Sequence, residues 1–172
     1  MQGMTMWIIL GVLITIVIGF LFFSAILDKK KRKQEKEILK QQKQEESMAK
    51  GKVSILIGIL VNLNNKKLEK FKPSIGKEKM STINNYAKKE LYRIKKDNLY
   101  KFISKDPKIL ENFLIISKTK SNNWIKQCPK SIKFFGDLEK QTEKESFKAE
   151  FEVFKKNQIN RLKKEYKYDN SK

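Results

Sequence analysis

Val53 to Leu63, reading VSILIGILVNL, is the stretch whose conformation decides the fold. Val53, Ile55, Ile57, Ile59 and Val61 alternate as on a strand, whereas Ser54, Gly58 and Asn62 recur every fourth residue, as on the thin polar face of a helix. Continuation separates the two. Leu68 and Phe71 extend a helical stripe from Leu60, Val61 and Asn64, and Pro73 terminates it. A sheet would need partner strands that the rest of the chain offers poorly. The apolar run of about 11 residues is too short to cross a bilayer and is therefore read as core, and the expectation is a helix over residues 54–71.

Working outward toward the N-terminus, residues 28–52 are dominated by Lys, Glu and Gln, with apolar side chains before Gly51 only at Ile38, Leu39, Met48 and Ala49. Such residues favour helix, and Lys33/Glu37 and Glu46/Lys50 pair at i, i+4. No heptad seam runs through them, so they predict an exposed helical spacer and not a coiled coil. Fully helical, it would reach about 35 Å. The alternative is a flexible charged tether. Gly51 is expected to end this helix as its C′ residue.

Before the spacer, Met6 to Leu27 reads MWIILGVLITIVIGFLFFSAIL, without a charge or a proline. As a helix these roughly 22 residues span about 33 Å, against a hydrocarbon layer of about 30 Å. The expectation is a single transmembrane helix. A cleaved signal would carry a basic start and a shorter apolar core, whereas Met1 to Thr5 hold no cation and Ser24-Ala25-Ile26 is a poor cleavage site. Lys29, Lys30, Lys31, Arg32 and Lys33 follow at once, which by the positive-inside rule places residues 1–5 outside the cell membrane and the rest in the cytoplasm. Those five cations are expected to meet anionic membrane lipid, at about 1 kcal/mol each. Trp7 suits the outer interface. Gly11, Thr15 and Gly19 share one face and predict helix packing in the membrane, with a partner or a second copy.

Toward the C-terminus, Lys72 to Gly76 reads as a turn, and Glu78 to Lys96 as an amphipathic helix on Met80, Ile83, Ala87, Leu91 and Ile94. Asp97 is expected to cap a short helix, and Asp106-Pro107 to start one carrying Ile109, Phe113 and Ile116. Residues 117–131 look irregular, with Trp124 plugging the core. From Asp137 to about Tyr166 the pattern predicts one long amphipathic helix with a stripe of Phe147, Phe151, Phe154, Ile159, Leu162 and Tyr166. That stripe either packs on the domain's own helices or offers Phe147, Phe151 and Phe154 as a docking face. The fold class is therefore all-α: an N-terminal transmembrane helix, a charged spacer, a cytoplasmic helical domain over 53–168 and a frayed tail over 169–172.

The 172-residue chain carries a formal charge of +20, none of it in the first 27 residues. Three readings compete for this excess: lipid headgroups, nucleic acid and a lysine-rich composition of the kind A/T-rich coding produces. Only Arg32, Arg93 and Arg161 are arginines, whereas bidentate recognition of phosphates and bases favours arginine, so nucleic acid is not the favoured partner. No histidine is present, which removes Ser-His-Asp and Cys-His catalysis and most zinc sites. Cys128 is alone and can form no internal disulfide. Gly76-Lys77 lacks the upstream glycine of a phosphate loop, because Phe71 stands there, and no aspartates follow a calcium-loop pattern. Glu143, Glu145, Glu150 and Glu152 alternate with lysines as a solvated face. No catalytic residue, cofactor, metal or small-molecule substrate is expected.

A single N-terminal membrane helix, a basic exit and a charged segment resemble in layout the translocase accessory protein YajC and the b-type stalk subunit of rotary ATPases. Lys50-Gly51-Lys52-Val53 followed by Ile57-Gly58 is similar to the start of the small domain of the first, although the remainder of the chain has no counterpart there. Gly51, Pro73, Pro107 and Pro129 would break the stalk of the second. The function expected is that of a non-catalytic scaffold tethering a protein partner or complex at the inner face of the membrane. The alternatives are a membrane-tethered module for nucleic acid or ribosomes, and a stalk-like accessory subunit of a membrane machine.

Overall fold

The computed structural model describes the backbone of residues 2–70, 76–143 and 145–165, and the side chains of all of these except 2–10, 12, 14–17 and 145. The described residues are all-helical, as the periodicities predict, and contain no strand. They form α1 (Gln2–Lys70), α2 (Lys77–Lys96), α3 (Leu99–Ile103), α4 (Pro107–Lys118), α5 (Trp124–Gln127), α6 (Pro129–Thr142) and α7 (Lys148–Glu165). Short 3-10 turns at Ser121–Asn123 and Glu145–Phe147 lead into α5 and α7. By its contacts the chain divides into two units, Met1–Gln44 and Glu45–Lys172.

In the first unit, residues 28–44 are helical with every side chain exposed, as good helix formers with no apolar face should be. Among the described residues no helix is long and apolar enough to cross a membrane. The expected span over 6–27 falls partly outside them, since its side chains at 6–10, 12 and 14–17 are not described.

The second unit is built around the last part of α1. Val53, Ile55, Leu56, Ile57, Ile59, Leu60 and Val61 are all buried, so this stretch is covered on nearly every side. A helix apolar all round can only be the centre of a core, and α2 to α7 supply the cover. Of its polar residues, Gly58 and Asn62 are exposed, whereas Ser54 is buried and donates to the Lys50 carbonyl at 2.9 Å.

Gly51 does not end a helix. It lies inside α1 and is buried, because a Cβ there would collide with the Phe151 ring and stand 2.7 Å from Thr142 Oγ1. Its role is close approach, not a left-handed cap. The packed unit accordingly reaches back into the expected spacer, with Ala49 buried and Met48 against the core.

The surrounding helices follow their own signals. α2 buries Ile83, Ala87, Leu91 and Ile94, four of the five apolar positions of its predicted stripe. Asp106 caps α4, its Oδ1 accepting from the amides of Lys108 (3.1 Å) and Ile109 (3.3 Å) ahead of Pro107 at the first helical position. Trp124 is 1 % exposed, and its Nε1 donates to the carbonyls of Ile116 and Thr119, both at 3.0 Å, so the indole plugs the core with its polar atom satisfied.

The single long helix expected from Asp137 to Tyr166 is two. Pro129 opens α6, which stops at Thr142, where the hydroxyl turns back to the carbonyls of Leu138 (2.8 Å) and Glu139 (3.0 Å) and Glu143 leaves helical geometry. Residues 139–145 are good helix formers, so propensity alone would continue. Tertiary packing overrides it, because the break sets Phe147 and Phe151 against the core, with Phe151 at Gly51. Tyr166 and the tail lie outside the described residues.

Candidate functional site

α2 begins after Gly76, which offers no side chain to cap it, so among the described residues no N-cap side chain closes the positive end of this 20-residue helix. Lys77 and Met80 of its first turn form one wall of a cleft of about 720 Å³. The opposite wall is the end of α4, at Ser117 and Lys118, with Thr119, Lys120 and Ser121, which lead from it toward α5. Lys77 and Lys88 come from α2, Lys118 from the end of α4 and Lys120 from the turn after it, and among the described residues no aspartate or glutamate lines the space. None of the four lysines forms an ion pair among the described residues.

The cleft is held by polar side chains. Asn84 Oδ1 accepts from Ser121 Oγ (2.8 Å) and from the Asn122 amide (3.2 Å), clamping the turn onto α2. From the core side, Asn64 Nδ2 donates to the Ser121 carbonyl at 2.9 Å. Among the described residues, three buried side-chain oxygens have no hydrogen-bond partner: Ser117 Oγ, Asn122 Oδ1 and Asn64 Oδ1, all at this turn or bonded to it. Ser117 itself lines the cleft.

A second polar cluster lies between α2 and α7. Glu90 is 5 % exposed and receives Arg161 in a two-pronged pair, Nη2 to Oε2 at 2.9 Å and Nη1 to Oε1 at 3.2 Å. Glu165 bridges Arg93 (3.1 Å) and Arg161 (3.2 Å). Burial raises the pKa of Glu165, but the two guanidinium groups outweigh it and hold the carboxyl below the usual range. Two arginines face two glutamates here, so the cluster neutralises itself. At the other end of the unit, Lys50 reaches Asp106 at 3.1 Å and Glu46 at 2.9 Å. Burial raises the Asp106 pKa, and the Lys50 ammonium with the Ile109 and Lys108 amides together bring it below its ordinary value.

The sites expected from sequence are distributed as follows. Lys29, Lys30, Lys31, Arg32 and Lys33 are consecutive exposed residues of α1. Gly11 and Gly19 occupy exposed positions on the same helix, and the side chain of Thr15 lies outside the described residues. Of the two readings of the phenylalanine stripe, the burial agrees with packing on the domain's own helices: Phe147 (8 % exposed) and Phe151 (3 %) are in the core, and Phe154 packs partly buried against it. An open docking face cannot be made of rings already spent on the core. Cys128 is buried, its Sγ 4.0 Å from the Ile115 carbonyl.

Sequence reasoning did not find the lysine cleft, because its cations come from two segments some thirty positions apart. A signal was present. Ser81-Thr82-Ile83-Asn84-Asn85 places poor helix formers mid-helix, and Ser121-Asn122-Asn123 repeats that chemistry on the facing turn. Among the described residues no group of His, Cys, Asp or Glu is arranged to hold a metal ion. The chain matches no family model, no curated protein and no solved structure.

Proposed function

We propose that this chain is a non-catalytic, single-pass membrane-anchored subunit that holds a protein partner or complex at the cytoplasmic face. One observation supports it most. Ile18, Phe20, Leu21, Phe22, Phe23 and Ile26 of α1 are each more than half exposed, and steps of about 100° per residue send them to every side. Exposed apolar surface of that extent calls for lipid or protein to cover it. Read with the uncharged sequence upstream, lipid is the cover that accounts for its length, and the exposed cations at 29–33 then sit where headgroups would be. Gly11, Thr15 and Gly19 would be the face for a second helix. Confinement near the bilayer raises the effective concentration of whatever the helical unit binds.

The test is fractionation of cells that express the full-length protein with a C-terminal tag. Resistance to alkaline carbonate, release by detergent and protection of the tag from protease added to intact cells are the expected results. Recovery in the soluble fraction, or digestion of the tag from outside, would sink the reading.

A further inference from the structure

We infer that the cleft between α2 and the end of α4 with the turn after it is a binding site for a small phosphate-bearing ligand of about nucleotide size. The volume of about 720 Å³ lies inside the range of roughly 300–1,000 Å³ typical of small-molecule sites. The electrostatics select the sign of the charge. Lys77, Lys88, Lys118 and Lys120 all line it, with no acidic side chain lining it and no ion pair to satisfy them among the described residues. The Glu90–Arg161 cluster shows the contrast, since its cations already have carboxylates at hydrogen-bond distance.

Two further features point to a ligand. The α2 N-terminus, without a side-chain cap at Gly76, adds the positive end of a helix at the same wall. Ser117 belongs to the lining, and its buried Oγ has no hydrogen-bond partner among the described residues, so a turn about χ1 would bring an unspent hydroxyl to an incoming oxygen. Lysine and hydroxyl groups bind phosphate without reading a base, and no arginine lines the cleft. A concave pocket, not a basic stripe along one face, favours a compact polyanion over a nucleic-acid strand. The assignment rests on the cleft and is independent of the membrane reading.

The experiment is equilibrium titration of the detergent-purified full-length protein, at physiological salt, with ATP, inorganic tripolyphosphate, adenosine and a single-stranded oligoribonucleotide. Saturable binding of ATP or tripolyphosphate at one site per chain, without binding of adenosine, is expected. Binding of ATP alone marks a nucleotide, and equal binding of both marks the phosphate chain as the ligand. Lys88→Ala combined with Lys120→Ala should weaken the binding about tenfold or more. Replacing Lys29–Lys33 by glutamine should leave it unchanged. Circular dichroism controls for folding, and Lys88→Arg with Lys120→Arg should retain affinity if the unpaired double alanine variant is unstable. Absence of saturable binding by both phosphates, binding of the oligoribonucleotide only, or equal losses from the two sets of substitutions would each overturn the assignment.

Discussion

Two apolar stretches lie on one helix, and they differ in what covers them. Ile18–Leu27 leaves its large side chains exposed, with Phe20 and Phe22 above 70 %. Val53–Val61 buries Val53, Ile55 and Ile57 to 2 % or less. Polarity hardly separates the two, since both are uncharged and apolar with one glycine and one serine, although the first carries Phe20, Phe22 and Phe23 and the second is aliphatic. The second is sheathed by its own chain, because the residues after it form helices with apolar faces and the means to clamp them. The first has no such sequence beside it: residues 28–44 are helical and exposed throughout. An all-round apolar helix is thus a demand for cover, and the flanking sequence decides who meets it.

The strongest way to break this comparison is to truncate one large side chain in each stretch. Ile57→Ala should lose about 2–5 kcal/mol of stability, as large-to-small core changes do. Phe22→Ala should stay within about 0.5 kcal/mol, since its side chain is 71 % exposed. Urea unfolding of the full-length protein in detergent, followed by circular dichroism, reads both. Comparable losses would mean that the first stretch is also covered by the chain.

The sheath can be loosened next at its α2–α7 seam. Arg161→Met strands Glu90 with only Arg93, at 3.7 Å, and should lose about 2–3 kcal/mol, less than a fully buried pair because Arg161 is a quarter exposed. Adding Glu90→Leu should restore most of the loss by removing the stranded charge. If the double variant is no better than the single one, apolar burial is not what holds that seam.

The smallest expected effect is at the α1–α4 clamp. Asp106→Ala removes the cap of α4 and the partner of Lys50, for about 1–2 kcal/mol at neutral pH, and Asp106→Asn, which keeps a cap oxygen, should lose less. The pH dependence has a definite sign. The Asp106 pKa lies below its unfolded value of 3.8, so its contribution is present above that value and disappears as pH falls through the lower folded one. The gap between wild type and Asp106→Asn should therefore narrow as pH falls below the unfolded value; a gap unchanged between neutral pH and about pH 2 would show that the Asp106 charge is not its source.

Much of the fold was legible because local chemistry and tertiary environment agree. The stripe at Ile83, Ala87, Leu91 and Ile94, the Asp106-Pro107 start and the inward Trp124 are each specified by spacing, a cap or the size of an indole. The errors share one cause. Gly51 read as a stop and residues 137–166 as one helix because backbone propensity was the only guide, whereas the contact between Gly51 and Phe151 decides both places. The lysine cleft was hidden for a related reason: Lys77 and Lys120 become neighbours of one space only when α2 and the turn after α4 are clamped by Asn84.

By itself, then, the sequence determined what repeats along the chain: helical periodicity, the uncharged run near the start and the cation cluster after it, since these depend on neighbours within a turn or two. The tertiary structure alone decided where a helix could pass another without a Cβ between them, which phenylalanines became core, and which lysines met without a counter-charge. Those outcomes depend on residues far apart in sequence brought within a few ångströms, and no local pattern records which of them will meet.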